Sequence, residues 1–79
     1  MKVKSIAANQ TEIHLNNGNV VFVSYETPVA AFISGRGIVR TTEKLSNTTT
    51  RHINKFVVRH APSATISEEP QTFFNNLIP

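Results

Sequence analysis

The hydrophobic pattern changes period once along the chain, and that change dictates an α+β fold. Before Ser46 apolar and polar side chains alternate, the period of half-buried strands; after it apolar residues recur at helical spacing. Thr11, Ile13 and Leu15 share one face of such a strand, with Glu12 and His14 on the other. Asn16-Asn17-Gly18-Asn19 follows, a run that tolerates positive φ and marks a hairpin. Residues 20–25 are β-branched and aromatic, as suits a central strand, and residues 2–7 form a strand ahead of this pair. Thr27-Pro28 interrupts the ladder, because proline lacks an N–H donor and restricts the residue before it. Residues 29–34 resume it, Gly35-Arg36-Gly37 turns, and residues 38–42 return antiparallel. The expectation is an antiparallel sheet of four to five strands within about residues 2–42.

Ser46-Asn47-Thr48-Thr49-Thr50 offers several side chains that cap a helix by accepting a bond from a free backbone N–H. Beyond it Thr49, Ile53, Phe56, Val57 and His60 fall on one helical face, while Arg51, Lys55 and Arg59 form a basic stripe on another. The pattern predicts one amphipathic helix over residues 49–60, packed on a face of the sheet. The shared core is then Ile13, Leu15, Phe22, Phe32, Ile53, Phe56 and Val57. Ala61-Pro62 stops the helix, and residues 61–67 form a polar linker. Ser67-Glu68-Glu69-Pro70 then reads as the start of a short C-terminal helix over residues 68–77, with acids at its positive end. Pro70, Phe73, Phe74 and Leu77 share one side of it. That side either seals the chain's own core or packs on a partner, in which case Phe73, Phe74 and Leu77 are the self-association residues.

A chain of 79 residues is a single domain, 1–79, with a small core. Cysteine is absent, so disulfides and thiolate metal sites are excluded, and self-association as a homodimer is the remaining route to extra stability. His52 and His60 lie roughly 12 Å apart along a helix, whereas zinc ligands on one helix are about three to five residues apart. No metal and no cofactor are expected. Catalysis is not expected either: there is no nucleophile motif, and the acids are only Glu12, Glu26, Glu43, Glu68 and Glu69. No apolar run approaches the ~20 residues of a membrane span, and the N-terminal residues do not form a signal peptide, so the expected compartment is the cytoplasm.

The net charge of +3 is unevenly spread. Arg36, Arg40, Lys44, Arg51, Lys55 and Arg59 are opposed in their segment only by Glu43. This basic middle admits an anionic partner, nucleic acid or an acidic protein surface, or else a merely solvated face. The candidate partner-binding residues are Arg51, Lys55 and Arg59, with Arg36 and Arg40. Arg51 and His52 also sit near a helix start, where the dipole disfavours cations.

Two stretches, Ser24-Tyr25-Glu26-Thr27-Pro28-Val29-Ala30 and Ser46-Asn47-Thr48-Thr49-Thr50-Arg51-His52-Ile53-Asn54-Lys55-Phe56, resemble a family of short, largely uncharacterised bacteriophage and prophage proteins. The resemblance covers roughly residues 20–57 and leaves the tail beyond residue 60 as this chain's own addition. It implies a phage or mobile-element origin, hence the cytoplasm of a host bacterial cell, and assigns no residue a role. Small non-enzymatic phage proteins include inhibitors of host defence, so the first expectation is an anti-CRISPR inhibitor that blocks a Cas effector complex through the basic helix face. The alternatives are a nucleic-acid-binding phage protein and a structural or assembly protein of the particle.

Overall fold

The computed structural model describes residues 1–60 and 66–78. Among them β1 (Lys2–Ala7), β2 (Gln10–His14), β3 (Val20–Ser24), β4 (Thr27–Ile33) and β5 (Gly37–Thr41) form an antiparallel meander. Helix α1 (Asn47–His60) follows, then β6 (Ser67–Glu69) and helix α2 (Gln71–Asn75). The sheet order is β1-β2-β3-β4-β5-β6, and only the β5–β6 pair is parallel. This is the expected α+β fold, with a sixth strand that the sequence pattern did not reveal.

The tight turns follow local chemistry. Gly18 between β2 and β3, and Gly35 between β4 and β5, have φ of 91° and 82°, values a side chain with a β-carbon rarely adopts. Pro28 lies inside β4 rather than interrupting it. A bulge between Phe22 and Val23 of β3 sets Ala30 opposite Phe22 and Pro28 opposite Val23, leaving Val29 as the extra residue. Consecutive Val29 and Ala30 therefore both join the cluster beneath α1.

Each face of the sheet carries a helix. Under α1, Phe22 and Phe56 stack with ring centroids 5.0 Å apart, surrounded by Val20, Val29, Ile38 and Ile53. On the opposite face Phe74 of α2 packs on Ala31 and Val39, with Ile33, Phe73 and Leu77 at the margin. Phe32 and Val57 pack at the edge of the first cluster, half-buried. Ile13 and Leu15 are likewise only half-buried, because β2 turns its polar face, not its apolar one, toward α1.

Two boundaries differ from expectation. Helix α1 begins at Asn47, since Ser46 is the cap: its Oγ accepts from Thr49 N at 3.2 Å, and its carbonyl accepts the first helical bond from Thr50 N. Residues 67–69, expected to open the second helix, form β6 instead, because the edge of β5 offers unpaired backbone groups to Ser67, Glu68 and Glu69. Helix α2 is correspondingly shorter, with Pro70 at its N-cap. The helix stop at Ala61-Pro62 and most of the expected linker lie outside the described residues.

Phe56→Ala removes one half of the aromatic stack and should cost about 3–5 kcal/mol, read from urea unfolding. An unchanged midpoint would contradict the helix-on-sheet core. A chain ending at Ala61 would lose β6 and Phe74 together, so its unfolding midpoint should fall as well.

Candidate partner-binding surface

A carboxylate buried at the helix–sheet boundary decides which cations are free. Glu12 on β2 is 2% exposed and points toward the last turn of α1. Its Oε2 accepts from Arg59 Nε and from His60 Nε2, each at 2.8 Å, and its Oε1 accepts from His14 Nε2 at 3.0 Å. Burial pushes the carboxyl pKa up, but the hydrogen bonds from His60, Arg59 and His14, with the charge of His60, outweigh it and hold Glu12 below the ordinary carboxylate range. The Arg59 guanidinium also lies 5.9 Å from the ring centroids of both Phe22 and Phe56, closing one end of the stack. Arg59 is therefore committed to Glu12, though part of its side chain stays accessible, whereas Arg51 and Lys55 have no such partner among the described residues.

The opposite end of α1 is held by neutral groups. Ser24, buried at the end of β3, places its Oγ 3.0 Å from His52 Nδ1 and 3.4 Å from Thr49 Oγ1. Ser46 Oγ donates in turn to Thr49 Oγ1 at 3.1 Å, and the Tyr25 ring lies 6.1 Å from that of His52. The stretches 24–30 and 46–56 thus meet in space, as a joint between β3 and the start of α1. Ser24 and His52 have the spacing of a nucleophile–base pair, with Ser24 2% exposed.

The remaining candidates divide by position. Arg36 pairs with Glu69 at 2.6 Å and lies 5.7 Å over the Phe73 ring, clasping the β4–β5 turn to β6 and α2. Arg40 is half-buried on β5, in register with Glu68. Phe74 is 1% exposed and spent on the chain's own sheet, while Phe73 and Leu77 are half-buried beside it. Arg51 and Lys55 are exposed and, among the described residues, form no ion pair. Val58, one turn beyond Lys55, is 67% exposed. Asn54, Lys55, Val58 and Arg59 line a shallow depression of about 290 Å³ along this ridge. Val58 was missed in the sequence, since a valine beside the half-buried Val57 reads as core.

His52 and His60 serve separate joints, and among the described residues no group of three or more metal-ligating side chains could hold an ion. No helix of the described residues is long and apolar enough to cross a membrane.

Fold and surface together define a small α+β domain whose most accessible chemistry is a basic helix ridge with an apolar residue in it. The chain belongs to a family of unknown function, DUF8033, whose family model matches residues 1–76. That match includes β6 and α2, so the tail belongs to the family and is not an addition peculiar to this chain. No curated protein and no solved structure matches the chain.

Because Glu12 titrates below its unfolded value, its contribution to stability is complete above about pH 4.3 and is lost as pH falls through the folded pKa. Urea midpoints from pH 6 down to pH 2.5 should fall more steeply for the wild type than for Glu12→Gln. Parallel curves would mean that the carboxylate is not held ionised. Arg59→Glu sets a second carboxylate against Glu12 and should destabilise by about 3–5 kcal/mol.

Proposed function

We propose that this protein acts by binding, docking an acidic patch of a partner protein complex on the outward ridge of α1 made by Arg51, Lys55 and Val58. The observation that carries this reading is the exposed valine among unpaired cations. A protein surface offers carboxylates and apolar area side by side, whereas a phosphate backbone offers charge alone. With Arg59 committed to Glu12, only two cations of the stripe remain for phosphates, and about two released counterions give weak duplex binding. In its specific form, suggested by the resemblance to phage proteins, the partner is a Cas effector complex in the host bacterial cytoplasm and the activity is anti-CRISPR inhibition. That form requires no cofactor and no catalytic residue.

The test is the double variant Arg51→Glu/Lys55→Glu, which breaks no ion pair among the described residues. It should melt as the wild type does. Plasmid-protection assays across a panel of CRISPR interference systems should show protection by the wild type and none by the variant, because like charges at an interface cost several kcal/mol. Absence of protection by the wild type in every system would remove the anti-CRISPR form. Tight binding of labelled duplex DNA that falls steeply with added salt would replace the protein-docking reading with the nucleic-acid one.

A further inference from the structure

The strand β1 is the one strand of the described sheet whose residues are all exposed. It ends the sheet, so alternate backbone N–H and C=O groups along its outer side face solvent. Its register with β2 sorts its side chains onto two faces. Lys2 and Lys4 lie opposite His14 and Glu12 on the α1 side, and Val3 lies opposite Ile13 on the other. Glu12 is occupied by Arg59, His14 and His60, and among the described residues Lys2 and Lys4 form no ion pair. Val3 is 61% exposed. The edge therefore presents three things at once: free backbone groups, two unpaired ammonium groups on one face and an apolar side chain on the other.

A second copy of the chain meets like charges on this edge in the registers that bring its lysines together. In a two-fold antiparallel pairing that keeps α1 on one side, a register centred on Val3 sets Lys2 opposite Lys4, and one centred on Lys4 sets Lys4 opposite itself. Like charges directly opposite are destabilising. Lysines on an edge strand deter such pairing, and the same two lysines select an acidic strand.

We propose that β1 receives an extended segment of a partner protein as an added strand, with alternate carboxylates on Lys2 and Lys4 and alternate apolar side chains against Val3. Main-chain bonds along the edge supply affinity, and the alternation supplies specificity. This surface is distinct from the α1 ridge and does not depend on it.

The probe is a capped peptide of three Glu-Val repeats, titrated into the full chain and followed by NMR amide shifts and hydrogen exchange. A capped peptide of three Lys-Val repeats is the control. The Glu-Val peptide should shift the amides of β1 saturably and slow exchange at alternate β1 positions by about tenfold or more. Lys2→Glu/Lys4→Glu should reverse the preference toward the Lys-Val peptide. Arg51→Glu/Lys55→Glu should leave the titration unchanged, which separates failure here from failure of the α1 reading. The proposal is overturned by unchanged β1 amides at millimolar peptide, or by shifts confined to the α1 ridge. It is equally overturned by protection of β1 that rises with protein concentration in the absence of peptide, which would make the occupant a second copy.

Discussion

Placing one carboxylate inside the helix–sheet boundary constrains most of this molecule. A glutamate that is 2% exposed persists as an anion only when donors replace its lost water, and Arg59, His60 and His14 are those donors. Apolar packing around Phe22 and Phe56 holds the helix down but is non-directional. The bonds to Glu12 fix where the last turn of α1 must lie, and those around Ser24 fix its first turns. Held at both ends, the helix has one rotation about its axis, and that rotation leaves Lys55 and Val58 exposed while Arg59 reaches Glu12. A buried ion pair adds little net stability over an apolar substitute of the same shape, so positional specificity is the better account of its presence.

The joint at the far end is built from two separate stretches of the sequence, 24–30 and 46–56. Ser24, Thr49 and His52 come from both stretches and are engaged with one another. Tyr25, next along, adopts a φ of 57° in the β3–β4 turn, and its N–H donates to the carbonyl of Asn9, itself at 61°. Two left-handed residues from different turns thus brace each other at one end of the sheet, each carrying a conformational cost. These residues are needed for assembly of the fold. Arg51 and Lys55 lie among them in sequence but take no part in the joint and stay exposed.

What could be read from the sequence was what local chemistry determines. Gly18 and Gly35 announce their turns, the β-branched and aromatic run of residues 20–25 announces a central strand, and the spacing of Ile53 and Phe56 announces the buried side of α1. The burial of Glu12 could not be read, because its donors Arg59 and His60 stand 47 and 48 residues away. Without them, a strand alternating Thr11, Ile13 and Leu15 with Glu12 and His14 assigns its apolar side to the core. The same missing partner made Arg59 look like a member of an outward stripe. Ser67–Glu69 carries no strand signal of its own, and two glutamates before a helix imitate an N-terminal cap. That strand exists because β5 leaves an edge and Arg36 waits for Glu69.

The parallel pairing of β6 with β5 has a bearing on how the chain is made. Strands β2 to β5 each pair with the neighbour synthesised just before, so a nascent chain can build the meander as it lengthens. The parallel partner of β5 comes only after the whole of α1, and α2 only after that. Until then Ala31 and Val39, fully buried in the finished fold, have no cover on their side of the sheet. A ribosome-bound chain complete through α1 would therefore carry an apolar face that α2 has yet to close.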